Sequence, residues 1–362
     1  VMPTPALAWL AAQRGVPAAM ITASHNPWQD NGVKFFAPGG LKLLDEVERA
    51  IEAVLQLDGP EPHDVVPSHV DALGEYVAHL VSLGGSLVGL RVVLDCANGA
   101  MSVAAPAVFR ALGATVVVVH DRPDGRNIND RCGATHTASL AAAVVAEGAH
   151  LGRAFDGDGD RVIAIDELGN AVDGDRLIAL AALQLRDEGR LHADTVVVTV
   201  MSNLGFHKAM VAAGIEVLTT AVGDRYVLEA LDAHGHSVGG EQSGHIIYRD
   251  VATTGDGLLA GLRLAQFVHD GGHALAELAG GVMTSYPQVL VNVRVRERHP
   301  RVAAELSAEI EAAERSLGGD GRILVRASGT EPLIRVMVEA ATVQQAQAVA
   351  DELAAVVLGR FG

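Results

Sequence analysis

One short pattern recurs three times along the chain: the end of an amphipathic helix, a glycine, and an apolar, β-branched run. The copies are Leu10 to Ala23 (LAAQRGVPAAMITA), Phe109 to His120 (FRALGATVVVVH) and Met210 to Ala221 (MVAAGIEVLTTA). The glycine suits a helix C-cap because it accepts left-handed backbone angles, and the run after it reads as a buried strand. Strands predicted at Arg91 to Asp95 and Thr195 to Val200 precede the second and third copies and complete βαβ crossovers, which join parallel strands under covering helices. The first copy lacks its leading strand, so a further segment is expected upstream of Val1.

The repeat and the 362-residue length predict an α/β protein of three similar domains with mainly parallel sheets, followed by a smaller α+β domain. Turn-rich stretches at Ser82 to Gly89, Gly169 to Asp175 and Gly280 to Ser285 place the domains at 1–85, 86–172, 173–282 and 283–362. The last should run as strand, helix (Pro300 to Leu317), strand, tight turn, strand and helix. With 49% hydrophobic but only 4% aromatic residues, the core must come mainly from Ala, Val, Leu and Ile. The formal charge of −17 repels nucleic acid and anionic membrane, so a phosphate ligand must meet locally gathered cations. No run reaches the ~18 apolar residues of a membrane span. Cys96 and Cys132 form no CxxC or Cys/His array, which favours a reducing, cytoplasmic setting.

In open α/β sheets, ligands gather at the carboxyl ends of strands, and five loops there carry reactive side chains. In the first, Ser24 stands beside His25 and Asn26 after the strand Ala18 to Ile21, with Lys34 ten residues on across a turn. A serine hydroxyl needs a base or an aligned electrophile to act as a nucleophile; the bland alternative is a hydroxyl-stabilised turn before Pro27. The second, Asp156-Gly157-Asp158-Gly159-Asp160-Arg161, alternates carboxylates with glycines that let the loop curl around one cation. Two carboxylates ~4 Å apart repel by roughly 4 kcal/mol at an effective dielectric of ~20, so three require a cation or protonation. Oxygen donors suit Mg²⁺; a Ca²⁺ loop of EF-hand type fails because Arg161 stands where glycine is needed and strands flank the loop.

The third loop, Val222-Gly223-Asp224-Arg225, caps a helix or faces a ligand. The fourth, Gly239 to His245, carries Glu241, Ser243 and His245, which suit sugar hydroxyls or an amine but equally a polar hairpin turn. The fifth, Arg326-Ala327-Ser328-Gly329-Thr330-Glu331-Pro332 with Arg335 beyond, combines hydroxyls, backbone amides and two guanidiniums into an anion cradle. Gly255 to Ala260 fits GxGxxA, yet no strand precedes it, so it reads as helix initiation.

Taken in order, these five loops resemble the α-D-phosphohexomutase superfamily along almost the whole chain. The segments ITASHNPWQDNGVKFF, GGEQSGHII and ASGTEPLIRVMVE are most similar to its branch acting on glucosamine phosphates. The resemblance implies four domains around a central cleft and a phosphoryl group carried on Ser24. It also implies Mg²⁺ held by Asp156, Asp158, Asp160 and an oxygen of the Ser24 phosphoryl group, with Lys34, His245 and His25 as acid/base candidates. Arg161, Asp224, Arg225, Glu241 and Ser243 would bind the sugar phosphate, and Arg326, Ser328, Gly329, Thr330 and Arg335 the non-reacting phosphate. Glucosamine 1,6-bisphosphate or glucose 1,6-bisphosphate would prime the cycle, and a homodimer is compatible with the resemblance. Other readings are a phosphomannomutase or phosphoglucomutase, a metal-dependent phosphatase, and a sugar-phosphate binding protein without chemistry. Superfamily members begin with a further strand and a Gly/Arg-containing loop; without that segment, weak activity is expected. Ala327 stands where proline is frequent, with little effect expected.

Overall fold

A computed structural model describes residues 1–55, 70–328 and 331–362. They form two compact units, Val1–Thr199 with Ile215–Val282, and Val200–Gly214 with Met283–Gly362. No helix among the described residues is long and apolar enough to cross a membrane.

The first unit opens with helix Thr4–Arg14, closed by Gly15 at φ 61°, the left-handed cap that the repeat predicts. It leads into a two-stranded antiparallel hairpin, β1 (Ala18–Thr22) and β2 (Gly32–Phe36), whose register sets Met20 against Lys34. The next sheet comprises β3 (Arg91–Asp95), β4 (Thr115–Val119), β5 (Leu151–Phe155), β6 (Val162–Asp166) and β7 (Ala171–Val172), in the order β4-β3-β5-β6-β7. Its β4-β3-β5 portion is parallel, and β6 and β7 extend it antiparallel. A third sheet holds β8 (Thr195–Thr199), β9 (Glu216–Thr220), β10 (Val238–Gly240) and β11 (Ile246–Tyr248), parallel apart from β11. Val92, Val93 and Leu94 of β3 and Val196, Val197 and Val198 of β8 have no exposed surface, as strands covered on both faces require. Arg153 breaks the apolar pattern: also wholly buried, it donates to the Gly152 and Gly261 carbonyls.

The second unit pairs helix Leu204–Ala212 with an antiparallel sheet of β12 (Gln288–Arg294), β13 (Arg322–Ala327) and β14 (Leu333–Glu339), ordered β12-β14-β13. Helix Val343–Phe361 supplies Ala346, Ala350, Leu353, Val357 and Phe361 to its core. Residues 200–214, which the sequence reading places inside the third domain, belong to this unit. Buried Glu339 ties them in, accepting from Asn203 Nδ2 (3.1 Å), Leu204 N (2.9 Å), Gln288 Nε2 (3.0 Å) and Arg322 Nε (3.0 Å). The helix expected over Pro300 to Leu317 is two, Val302–Glu305 and Ser307–Leu317, because the chain turns at Leu306 to bury that side chain fully.

In the first unit, Asp256 caps helix Gly257–Gly271 by accepting from Leu259 N, so the GxGxxA segment does initiate a helix. Its carboxylate also accepts from the Tyr76 hydroxyl at 2.8 Å, and burial pushes its pKa up from 3.8 to about 6. Since the folded value lies above the unfolded one, this group's stabilisation is complete below pH 3.8 and is lost as pH rises through about 6. Two pKa units correspond to about 3 kcal/mol. Asp256→Asn should therefore become more stable relative to the parent as pH rises from 4.5 to 7; urea unfolding at several pH values checks this, and a pH-independent difference contradicts it.

Candidate active site

Ser24 lies in the loop between β1 and β2 with φ 52°, a left-handed conformation costing a non-glycine residue of order 1–3 kcal/mol. Neighbours hold it there. Its N–H donates to Thr22 Oγ1 (2.8 Å), while its carbonyl accepts from Gly157 N (3.1 Å) and Asn129 Nδ2 (2.8 Å). Asn129 also donates to the Asn26 carbonyl (2.8 Å), clamping both sides of His25. Gly157 must be glycine, since a Cβ there would stand 2.6 Å from the Ser24 carbonyl oxygen.

The aspartate loop joins β5 to β6. Asp156 Oδ1 accepts from the N–H groups of Gly159 and Arg161, both at 3.1 Å, which curls the loop and points three carboxylates inward. Oxygens of Asp156, Asp158 and Asp160 lie within 4.8 Å of one another, and none of these residues is more than 3% exposed. The hairpin returns Lys34 to this spot. Its Nζ donates to Asp158 Oδ2 (2.7 Å), Asp160 Oδ2 (2.9 Å) and Ser24 Oγ (3.4 Å), and Ser24 Oγ donates to Asp156 Oδ2 (3.3 Å).

The three carboxyls do not ionise alike. Burial, then Asp160 and Asp158, hold Asp156 well above its ordinary value. Burial opposes ionisation of Asp160 too, but His245, Lys34 and Arg161 outweigh it and hold that carboxyl well below. Lys34 is raised because Asp160 and Asp158 overcome the desolvation that works against its charge. Two oxygens, Asp158 Oδ1 and Asp160 Oδ1, are buried without a hydrogen-bond donor. Hard oxygen donors with unused lone pairs, clustered at this spacing, fit Mg²⁺.

The third and fourth loops meet beside the triad. Asp224, at the start of helix Asp224–His234, pairs with Lys42 and lies 3.3 Å from His245 Nε2. His245 is 2% exposed; its Nε2 accepts from Gly255 N (3.1 Å), and its Nδ1 stands 3.7 Å from Asp160 Oδ1. That enclosure makes His245 a link between Asp160 and Asp224 rather than a group open to solvent. Glu241 Oε1 accepts from Gly223 N (3.1 Å), which joins the two loops. Arg161 bridges to His245 through the backbone, and its Nε lies 3.9 Å from Asp160 Oδ1. Ser243 Oγ is buried without a hydrogen-bond partner, and Arg225 pairs with Glu229 (2.8 Å). His25 is half-buried, its pKa lowered by burial and then by Arg161, and its Nδ1 has no hydrogen-bond partner.

In the second unit, β13 and β14 set Arg326 directly opposite Arg335. Like charges so placed repel, and an anion between them relieves the repulsion. Buried Ser328 donates its N–H to the Leu333 carbonyl, and Arg335 Nε is buried without a hydrogen-bond partner. Gly329 and Thr330 lie outside the described residues.

Three positioning residues escaped the sequence reading: Asn129, Lys42, and Thr4, whose hydroxyl donates to Asp158 Oδ2 at 2.6 Å. Asn129 carried a faint signal, because asparagine tolerates its φ of 57°. Thr4 and Lys42 carried none.

Profiles of the phosphoglucomutase/phosphomannomutase family match four consecutive segments: α/β/α domain I over 1–59, domain II over 67–169, domain III over 173–286 and the C-terminal domain over 290–356. The chain belongs to the phosphoglucomutase/phosphomannomutase family. It is an enzyme of the phosphohexomutase class, an isomerase. The phosphoglucosamine mutase of Rhodococcus jostii is 53% identical over 99% of this chain and 82% of its own length. That of Frankia casuarinae is 55% identical over 99% and 80%. Among solved structures, a family protein from Burkholderia thailandensis superposes with a TM-score of 0.80 at 23% identity, covering 99% of this chain and 81% of that one. The Aspergillus fumigatus N-acetylphosphoglucosamine mutase, in complex with GlcNAc-6P and magnesium, gives 0.72 at 20% identity over 99% and 93%. A second structure of that enzyme, with glucose 1,6-bisphosphate, gives 0.69 at 20% over 98% and 92%. These likenesses establish the shared fold.

Asn129→Ala frees the Ser24 and Asn26 carbonyls without touching a reacting atom. A displacement of about 1 Å can cost about 100-fold in rate. The variant should lose about 10- to 100-fold in kcat with little change in KM or melting temperature; an unchanged kcat contradicts the positioning role.

Proposed function

We propose that this enzyme interconverts glucosamine 6-phosphate and glucosamine 1-phosphate, with Ser24 as the phosphoryl carrier. The observation that carries the reading is one oxygen, Ser24 Oγ, placed 3.3 Å from Asp156 Oδ2 and 3.4 Å from Lys34 Nζ at the rim of three buried carboxylates. The named relatives at 53% and 55% identity support the substrate assignment.

In the first half-reaction, the phosphoryl group leaves Ser24 Oγ and bonds to the free hydroxyl oxygen of the sugar phosphate, while the proton of that hydroxyl is passed to Ser24 Oγ, giving a bisphosphate and the free serine. The bisphosphate turns end for end, and the phosphoryl group from the other position returns to Ser24 Oγ while the serine proton passes to the sugar oxygen it leaves, restoring the hydroxyl as the isomer departs. Phosphoryl transfer needs in-line positioning and charge neutralisation more than covalent help. The Thr22, Gly157 and Asn129 contacts fix the line of the Ser24 oxygen, and the Lys34 ammonium offsets charge on its phosphoryl group. Asp156, Asp158 and Asp160 would hold Mg²⁺, which would supply further positive charge to the phosphoryl oxygens. Glu241 and Ser243 recognise hydroxyls common to both substrate orientations, and Arg161, Asp224 and Arg225 complete the sugar-phosphate contacts. His245 orients Asp160 and Asp224 in this scheme, and His25 follows Ser24 in the clamped loop. Arg326, Ser328 and Arg335, with Gly329 and Thr330, take the non-reacting phosphate without reading the sugar. Either 1,6-bisphosphate, of glucosamine or of glucose, serves as primer, and the reaction is placed in the cytoplasm.

Two measurements test this. The kcat/KM should be highest for glucosamine 6-phosphate among the glucosamine, glucose and mannose 6-phosphates; preference for glucose or mannose overturns the substrate assignment. Ser24→Ala should lower turnover by about 1,000-fold or more, and full activity in that variant removes Ser24 from its role.

A further inference from the structure

Away from the aspartate triad, the carboxyl ends of two neighbouring parallel strands bring together a second set of metal-ligating side chains. Asp95 ends β3, His120 follows β4, and Cys132 lies in the loop beyond. A carboxylate oxygen of Asp95, a ring nitrogen of His120 and the Cys132 sulfur all lie within 4.8 Å of one another. Asp95 and Cys132 have no exposed surface, whereas the His120 side chain is 31% exposed. Its Nδ1 is buried and faces Asp95 Oδ1 at 3.1 Å. The Asp95 carboxylate is fixed by the N–H groups of Ala97 and Gly133, each at 2.9 Å, which leaves lone pairs on both oxygens. Left-handed backbone gathers here as well, at Ala97 (φ 54°), Asn98 (47°), His120 (50°) and Arg131 (53°), and such strain persists where surrounding structure enforces it.

We propose that Asp95, His120 and Cys132 form a second cation site, suited to a borderline-soft divalent ion of the Zn²⁺ class and not to Mg²⁺. One oxygen, one nitrogen and one sulfur donor make the mixed set such ions take, whereas Mg²⁺ demands oxygen alone. Bonds of ~2.0 Å to nitrogen and ~2.3 Å to sulfur keep tetrahedral donors about 3.3–3.8 Å apart, so a small rotation of His120 closes the set. The exposed side of His120 admits the ion and leaves a fourth position to water. Burial keeps the Cys132 thiol protonated, with its pKa pushed up to about 12. On binding, its S–H bond breaks, a sulfur–metal bond forms, and the proton passes to the buffer. This site is independent of the reaction proposed for Ser24.

The test titrates the chelator-stripped full chain with Co²⁺, a spectroscopic stand-in for Zn²⁺, in saturating Mg²⁺ that occupies the aspartate triad. One Co²⁺ per chain should bind with a thiolate-to-cobalt charge-transfer band that Zn²⁺ then abolishes. Cys132→Ser should lose the band, His120→Ala should weaken binding at least about tenfold, and Cys96→Ser should keep both. Absence of the band from the parent chain, where folding is not in question, overturns the proposal, as does a band that survives in Cys132→Ser. Either result would leave Asp95 and His120 as a structural tie alone.

Discussion

Mutual repulsion among three buried carboxylates is the constraint from which the rest of the candidate site follows. Asp156, Asp158 and Asp160 are nearly inaccessible to water, which would otherwise screen them, and a single turn places their oxygens within 4.8 Å. Such a cluster persists where positive charge converges on it or a carboxyl keeps its proton, as burial and its two neighbours favour at Asp156. Among the described residues, that charge comes from Lys34 of the first hairpin and Arg161 of the loop itself, while His245, from the loop between β10 and β11, sets its Nδ1 3.7 Å from Asp160 Oδ1. Segments far apart in sequence are thereby drawn to one point, and the carboxylates that repel one another become the anchor of the site.

Ser24 shares that anchor. Its hydroxyl meets Asp156 and Lys34, and its backbone is fixed by Asn129 and by close approach of Gly157. A left-handed serine at a strand end is costly, and the contacts maintaining it come from the same unit that carries the aspartates. Ser24 and the aspartate loop are therefore positioned together, as the proposed in-line phosphoryl transfer requires.

Much of this was legible in the sequence, for definite reasons. Glycine followed by a β-branched run marked the strands, because the left-handed cap is a local demand, met at Gly15, Gly113 and Gly214; the burial expected of those runs is not met, since β1, β4 and β9 are only partly buried, and the fully buried strands are their neighbours β3 and β8. Alternating Asp and Gly marked the curled loop, and the turn read between Ser24 and Lys34 left the lysine able to return to the serine, which the β1–β2 pairing brings about. Thr4 and Lys42 were invisible because each acts through one side-chain contact with a partner more than a hundred residues away. The break at Leu306 was hidden similarly, since the helical pattern runs across it while the surrounding core draws that side chain inward. His245 was legible as a residue near the site, but not as an enclosed link between two carboxylates, because burial of a loop histidine depends on packing from several segments.

The central claim, that Ser24 carries the phosphoryl group, is tested most directly by mass spectrometry of the purified enzyme before and after brief mixing with glucosamine 6-phosphate. The account predicts one phosphoryl group on the peptide containing Ser24, passing to the sugar as bisphosphate and regained during turnover. Steady turnover with that peptide unmodified throughout, or with the label on another residue, would contradict it.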